Sequence, residues 1–356
     1  MNQQKYKDTI PVRSGEELNI EALDRFLQRK MNDLPDGPLQ IRQFSAGHSN
    51  LTYQLKKGEW EAVLRKPPLG PVAPKAHDME REFRILSELN SVFSPAPKPL
   101  FFSADTEIVG SPFFIMERKH GFVFDTSIPE KITPSRELFE NLSKEMVARL
   151  SQLHRIPYQE TGLKDISKPE GFMERQVHGW ISRYERAKTH DFEVFDSLKK
   201  WLINHIPVHS EASIIHYDYK LNNAMFSEDG SEMVGLFDWE MATVGDPLAD
   251  LGVAMSYWMV ASDPELLKKG LGEPPVTILN GFYSREQFME EYAKESGRDI
   301  HHMNFYMTFA YFKLAGICQQ IYARYHKGQT KDPRFADFHL FVKTLLEHAY
   351  TLTREF

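Results

Sequence analysis

The chain has 356 residues, of which 41% are hydrophobic and 26% are charged, so it can build a large apolar core and exceeds the usual size of one compact domain; we expect two lobes. Proteins that bind nucleic acid or an anionic membrane carry an excess of Lys and Arg, whereas this chain has a formal net charge of −7, so neither is an expected partner. The single cysteine, Cys318, excludes an internal disulfide, and the lack of a secretory or membrane-spanning apolar stretch predicts a cytoplasmic location.

The first 117 residues are predicted to form an antiparallel sheet with one main helix after an amphipathic helix over residues 16–31. The alternation of Leu51, Tyr53 and Leu55 is typical of a half-buried strand, and Lys57-Gly58 supplies a tight turn. The predicted strands cover 39–44, 51–56, 60–65, 100–102 and 113–117, and the main helix covers 76–89.

Residues 118–356 are predicted to form a mostly helical second lobe. Thr133-Pro134 indicates an N-cap with proline at the first helical position, followed by one apolar stripe. Further helices are predicted over residues 173–188, 193–205, 248–261, 285–295, 303–326 and 335–353. The fold class is therefore α+β.

A polar loop follows the apolar strand around Ile214-Ile215, and two apolar runs then flank the turn at Asp229-Gly230. Because a hairpin folds the chain back, we expect Asp238 to return close to Asp218 and Asn223. Phosphoryl transfer needs a carboxylate to accept the proton of an attacking hydroxyl and oxygen ligands for magnesium. The three side chains are suited to that chemistry.

The pattern from His216 through Asp218 to Asn223, followed by Asp238-Trp239-Glu240, resembles the aminoglycoside phosphotransferase and choline kinase superfamily, which has a protein-kinase-like fold. The resemblance implies that Asp218 is the catalytic base, that Asn223 and Asp238 ligate magnesium, and that His216 braces the loop. Two further roles stay open in the sequence. Lys220 either reaches the γ-phosphate or is solvated, and Glu240 either supports a second metal or holds a loop.

In the first lobe, the resemblance assigns the nucleotide-phosphate contact to Arg65 at the end of the third strand and its partner to Glu82 on the next helix. Strand alternation places Arg65 on the same face as Val63. The adjacent Lys66 remains an alternative for the same contact.

Two other segments of the first lobe are assigned nucleotide contacts. The small-residue loop with Ser45, Gly47 and Ser49 is expected to cover the phosphates with its backbone N–H groups. The backbone of Met116 and Glu117 corresponds to the hinge between lobes and is expected to meet adenine.

The run from Gly245 to Gly252 also fits the resemblance, in which Asp250 supports the catalytic loop without reacting. The carboxy-terminal segments around residues 315–322 and 327–329 resemble more closely the phosphotransferases associated with acyl-CoA dehydrogenases. This subgroup implies a hydroxyacyl-CoA or hydroxy acid as acceptor, whose anionic groups would need local cations such as Arg175, Arg183 or Arg324.

Together these features predict a kinase that uses Mg²⁺ and ATP, with GTP left open as donor, and phosphorylates an alcohol group of a small hydroxylated molecule. An aminoglycoside or choline is the alternative acceptor, since the acidic surface suits a cation. A nucleotide-binding protein without catalysis is the alternative function. No nucleic acid or membrane partner is expected, and protein partners, oligomeric state and acceptor identity stay open.

Overall fold

The computed structural model describes residues 8–45, 50–70, 77–208, 211–270 and 272–354. The chain forms two compact units, each discontinuous in sequence. The first comprises the chain up to Phe122 together with Val234–Glu240, and the second comprises Val123–Met233 and the chain from Met241 onward. The sequence-based division after residue 117 keeps each part continuous, and it stays a prediction.

The first unit is built on a six-stranded antiparallel sheet with the strand order β1-β2-β3-β4-β6-β5. Its strands are β1 Thr9–Ile10, β2 Gln40–Phe44, β3 Leu51–Lys57, β4 Trp60–Lys66, β5 Pro99–Ser103 and β6 Phe113–Met116, and its helices are α1 Ile20–Lys30, α2 Met79–Leu89 and α3 Thr106–Val109. The predicted strands and main helix are confirmed, and the short β1 and α3 are additions that carry too few residues to show a period.

The sheet's core follows from the alternation seen in the sequence. Tyr53 and Leu55 of β3 are fully buried, and Gly58 takes a positive φ of 57° in the turn that pairs Lys57 with Trp60. Helix α2 begins after Asp78, whose side chain accepts a hydrogen bond from the N–H of Arg81 at 3.0 Å. The cap fixes where α2 starts, and Glu82 in its first turn thereby reaches Arg65 of β4.

The second unit is mostly helical. After β7 Phe122–Val123, its helices are α4 Arg136–Arg155, α5 Phe172–Ala187, α6 Val194–Asn204, α7 Pro247–Tyr257, α8 Glu265–Lys269, α9 Arg285–Ser296, α10 Met303–His326 and α11 Phe338–Leu352. Its short strands are β8 Ser213–Ile215, β9 Ala224–Phe226 and β11 Thr243–Gly245, whereas β10 Met233–Leu236 belongs to the first unit from Val234 onward. Among the described residues, none of the helices is long and apolar enough to cross a lipid bilayer.

The predicted N-cap at Thr133 is wrong. Helix α4 begins at Arg136, and the cap is Ser135, whose hydroxyl accepts a hydrogen bond from the N–H of Leu138 at 3.1 Å. Thr133-Pro134 and Ser135 each offer a start signal, and the backbone of Ser135 is the extended one that a cap requires. The helix starts two residues later than the predicted first turn.

Helix α10 is the central element of the second unit and packs against α5, α7 and α11. Its close contact with α7 depends on Gly252, where an added Cβ would lie 2.7 Å from the carbonyl oxygen of Tyr306. Tyr306 also donates a hydrogen bond to the carboxylate of Asp246 at 2.7 Å, at the start of α7. Helices α7 and α10 are thereby held against each other.

Candidate active site

The predicted catalytic loop leaves the end of β8, which pairs antiparallel with β11. The pairing brings Ser213 opposite Gly245, where an added Cβ would lie 2.7 Å from the side chain of Ile215 and 2.8 Å from Phe172. Only glycine allows so close an approach. Asp246 and Pro247 then begin α7 directly after β11, so the loop and the start of α7 are held together.

Asp250 on α7 is the anchor of this loop. Its carboxylate accepts hydrogen bonds from the backbone N–H groups of His216 at 2.7 Å and Tyr217 at 2.8 Å, and it lies 3.1 Å from Nε2 of His154. Burial alone would raise the pKa of Asp250, but the contacts with His154 and the backbone N–H groups hold it below its usual value. The predicted contact of Asp250 with the loop is therefore present, and its supporting, non-reacting role stays a prediction.

Asp218 stands at the tip of this loop and is partly exposed. Its Oδ2 accepts a hydrogen bond from Nδ2 of Asn223 at 2.9 Å and lies 3.0 Å from Nζ of Lys220. The amide of Asn223 also donates to the backbone carbonyl of Asp218 at 2.9 Å. With its amide nitrogen directed at Asp218, Asn223 presents its oxygen as the atom that can face a cation.

His216 is completely buried and uses Nδ1 to accept a hydrogen bond from the N–H of Asp218 at 3.3 Å. This contact favours a role for His216 in holding the loop over a role as a proton carrier, and the role of His216 stays a prediction. Lys220 stacks its ammonium over the ring of Tyr257 at 5.0 Å while it pairs with Asp218. These contacts favour the γ-phosphate contact predicted for Lys220 over the alternative that its side chain is merely solvated, and the contact stays a prediction.

In the first unit, Arg65 is buried and bound to two carboxylates. Its Nε donates to Glu82 at 3.1 Å, and its Nη2 donates to Asp238. Burial would lower the pKa of Arg65, but Glu82, Asp238 and Glu240 together hold it above its usual value. Burial raises the pKa of Glu82, and Arg65 opposes that shift.

Lys66 is oriented differently, because its Nζ donates to the backbone carbonyl of Val109 in the body of the first unit. Burial lowers its pKa. Since consecutive strand residues face opposite sides of the sheet, Arg65 and Lys66 cannot both face the carboxylates. These contacts favour Arg65 as the phosphate-binding cation, and the assignment stays a prediction.

We expect Arg65→Met to weaken Mg-ATP binding by roughly 10-fold to 100-fold, because a charge-assisted hydrogen bond contributes about 1.5–3 kcal/mol. Lys66→Met is the matched control and should change the affinity by less than about threefold. Isothermal titration calorimetry with Mg-ATP measures both. The reverse order of effects would move the assignment to Lys66.

Asp238 lies in the first unit with an unusual backbone, at a positive φ of 68°. Such a conformation is uncommon for a residue with a side chain and persists only where neighbours enforce it. The next residue supplies that constraint, because the buried Trp239 donates from its indole N–H to the carbonyl of Leu236 at 2.7 Å and packs edge-on against Phe93. The predicted closeness of Asp238 to Asp218 and Asn223 stays a prediction.

Glu240 is bound by residues that the sequence analysis missed. Its carboxylate accepts a hydrogen bond from Asn50 at 3.1 Å and lies 3.6 Å from His77, and its carbonyl accepts from Arg81 at 3.0 Å. Burial, reinforced by Asp238, raises the pKa of Glu240. The only sequence signal was that Asn50 closes the small-residue loop and Arg81 neighbours Glu82.

The remaining predicted nucleotide contacts are partly visible. The N–H of Glu117 donates to the carbonyl of Lys98 at 2.8 Å, so this donor is already used, whereas Met116 is the buried end of β6. The hydroxyl of Ser45 donates to the carbonyl of Asp8 at 3.1 Å. Gly47 and Ser49 lie outside the described residues. All five assignments stay predictions.

The predicted magnesium ligands are an amide and two carboxylates, which are the hard oxygen donors that this ion prefers. Asn223 lies in the second unit, and Asp238 and Glu240 lie in the first. Across the described part of the chain, no three His, Cys, Asp or Glu side chains group so as to hold a metal ion. Each of the three side chains offers an oxygen donor of the kind that magnesium takes, and their grouping around one ion stays a prediction.

A sequence model of the phosphotransferase enzyme family (APH) matches residues 40–272 of this chain. Acyl-CoA dehydrogenase family member 11 of Gallus gallus is 33% identical over 354 residues, which cover 97% of this chain and 45% of that protein. Family member 10 of Mus musculus is 34% identical over 325 residues, 90% of this chain and 30% of that protein. The chain spans less than half the length of these curated relatives.

Solved structures show the same fold. A Ralstonia eutropha JMP134 protein, provisionally described as an aminoglycoside phosphotransferase, superposes with a TM-score of 0.80 at 28% identity over 95% of this chain and 99% of its own. Choline kinase from Cryptosporidium parvum superposes with a TM-score of 0.62 at 13% identity over 94% and 95% of the two chains. The predicted protein-kinase-like α+β fold is confirmed, as is the resemblance to phosphotransferases associated with acyl-CoA dehydrogenases.

Proposed function

We propose that this chain, which belongs to the phosphotransferase enzyme family, transfers the γ-phosphoryl group of Mg-ATP to the alcohol group of a small acceptor. That it is a phosphotransferase acting on a hydroxyl group follows from the family and from its kinase neighbours. The observation that carries the proposal is the position of the Asp218 carboxylate. A partly exposed carboxylate, bound by Asn223 and Lys220, stands on a loop that the buried Asp250 fixes by its backbone.

In this mechanism the acceptor hydroxyl donates a hydrogen bond to the Asp218 carboxylate. As the hydroxyl oxygen forms its bond to the γ-phosphorus, the bond from phosphorus to the bridging oxygen breaks, ADP departs and Asp218 takes the proton. Asn223, Asp238 and Glu240 would hold magnesium, which supplies charge neutralisation at the phosphate oxygens. Arg65 would bind the same phosphates, and Lys220 would offset charge beside Asp218.

For the acceptor we favour a hydroxy acid or hydroxyacyl-CoA. Lys220 lies beside Asp218, and Arg183 stacks over Trp180 at 4.8 Å and acts electrostatically on the neighbouring Tyr217. Arg175 is a weaker candidate, because its guanidinium donates to the backbone carbonyls of Lys168 and Glu170. The names of the curated relatives, which include acyl-CoA dehydrogenase, agree with an acyl-CoA as the molecule that carries the hydroxyl.

The test is Mg-dependent release of ADP from ATP, and of GDP from GTP, over a panel of hydroxyacyl-CoAs, hydroxy acids, choline, sugars and aminoglycosides. Asp218→Ala provides the background. We expect an anionic hydroxylated acceptor to give turnover that the variant lacks. Turnover with only choline or an aminoglycoside would show that the acceptor is a cationic alcohol and not a hydroxy acid or hydroxyacyl-CoA. Mg-ATP binding without turnover on any acceptor would favour the non-catalytic, nucleotide-binding function.

A further inference from the structure

Lys313 lies in the middle of α10 and is buried, with 4% of its surface exposed. Lysine is among the residues least often buried, because its charge loses hydration. The ammonium group donates a hydrogen bond to the backbone carbonyl of Tyr217 at 3.0 Å and lies 3.5 Å from the centre of that tyrosine's ring. One buried cation therefore binds both the backbone and the side chain of the residue that precedes Asp218.

Tyr217 needs such a partner, because its backbone has a positive φ of 65°. A bulky residue adopts this left-handed conformation only when its surroundings impose it. Its N–H donates to Asp250 at 2.8 Å, its carbonyl accepts from Lys313, and its hydroxyl donates to Gln176 at 3.3 Å. Asp250 and Lys313 thus hold the two peptide groups on either side of Tyr217.

The peptide group that Lys313 binds is the one that joins Tyr217 to Asp218. Rotation of this peptide would swing the Cα–Cβ bond of Asp218 and so redirect its carboxylate. Within the second unit, the charged groups that act on Lys313 are Asp218, Asp250, Lys220 and Arg183. Burial lowers the pKa of Lys313 to about 8, and Asp218 and Asp250 oppose that shift, so the ammonium form predominates at neutral pH.

We propose that Lys313 is a positioning residue, which fixes the left-handed peptide at Tyr217 and thereby aims Asp218 at the acceptor hydroxyl. The inference rests on the proposed function for its catalytic consequence. A lysine that served packing alone would be replaceable by an apolar side chain of similar length without loss, since a buried charge is costly to keep. The two explanations therefore predict different results for one substitution.

The experiment compares Lys313→Met with Gln319→Met in the full chain. Gln319 is a matched control, because it lies on the same helix, is buried, and donates to a backbone carbonyl, that of Ala187, at 2.8 Å, away from the catalytic loop. Both variants remove one buried donor and keep a side chain of similar length. The first readout is hydrogen–deuterium exchange of the peptide that spans residues 214–224, and thermal unfolding monitors the fold.

In Lys313→Met we expect this peptide to exchange on the order of tenfold faster than in the wild type, with an unfolding temperature no lower than that of Gln319→Met, which also loses one buried donor. The peptide in Gln319→Met should exchange as in the wild type. Exchange in Lys313→Met within about twofold of the wild type would overturn the proposal. Faster exchange throughout the second unit, with an unfolding temperature well below that of Gln319→Met, would also overturn it, because Lys313 would then stabilise the whole unit and not the catalytic loop in particular.

The second readout is turnover of Mg-ATP, with water and with any acceptor that the panel identifies. Lys313→Met should lower kcat by on the order of 10-fold to 100-fold with KM for Mg-ATP within about twofold, because misaimed catalytic groups slow the chemical step more than binding. An unchanged kcat would overturn the proposal. Failure of the proposed function is distinguishable, since the wild type would then show no turnover that depends on Asp218, while the exchange measurement still tests the hold of Lys313 on the loop.

Discussion

Asp218→Ala is expected to lower kcat by about 10²-fold to 10⁴-fold, the range that a positioned general base contributes. Among the described contacts of the second unit, Asp218 is the carboxylate that binds both Asn223 and Lys220, so no neighbouring carboxylate can take its place as the base. Binding of Mg-ATP should change less than about threefold, because the predicted phosphate-binding residue Arg65 and its partner Glu82 are untouched. Steady-state kinetics and calorimetry give the two quantities separately.

Two further variants sharpen this prediction. Asp218→Asn keeps the shape of the side chain and removes its basicity, so it should lose nearly as much turnover as Asp218→Ala. Asp196→Ala removes an exposed carboxylate from α6 in the same unit and should leave kcat unchanged. If Asp218→Ala kept wild-type turnover, or lost Mg-ATP binding and turnover together, Asp218 would not be the base.

Asp250→Ala is expected to lower the free energy of unfolding by about 3–5 kcal/mol, the usual loss when one member of a buried polar pair is removed. Asp250 is completely buried and meets three donors, the N–H groups of His216 and Tyr217 and the ring of His154. Alanine would leave all three without this acceptor in a site with little access to water. Urea denaturation followed by tryptophan fluorescence measures the change.

The control for Asp250→Ala is Ser256→Ala on the same helix. Ser256 is buried, but its hydroxyl donates only within the helix, to the carbonyl of Val253 at 2.7 Å, so its loss should be about 1 kcal/mol or less. Asp250→Asn keeps one acceptor oxygen and should fall between the two. If Asp250→Ala were as stable as Ser256→Ala, contacts other than those of Asp250 would hold the backbone of the loop in place.

Helices and strands with a clear apolar period were predictable from the sequence. The predicted strands of the first sheet agree with the observed ones within two residues, and the predicted helix over residues 303–326 matches the bounds of α10, although α10 is buried nearly all round. The start of helix α4 was not predictable from the sequence. Thr133-Pro134 and Ser135 both carry a start signal, and only the backbone conformation selects Ser135. The two-residue β1 forms by pairing with the distant β2, and α3 is a single turn, so both are too short to show a period.

The sequence by itself determined which residue types carry the chemistry. The spacing of Asp218 and Asn223 is local, since a short helical turn at Leu221–Asn223 is enough to bring the amide back to the carboxylate. A motif of this kind depends on a few consecutive backbone angles. For that reason it is legible in the chain without any knowledge of packing.

Only the tertiary structure decided what holds that motif in place. Lys313 contacts Tyr217 across 96 residues of sequence, and Arg65 reaches Asp238 across 173 within the first unit. No local period records such contacts, because a side chain's partner depends on how whole helices and strands pack. The left-handed backbone of Tyr217 is likewise imposed by distant residues, because Asp250 and Lys313 bind the peptide groups on either side of it.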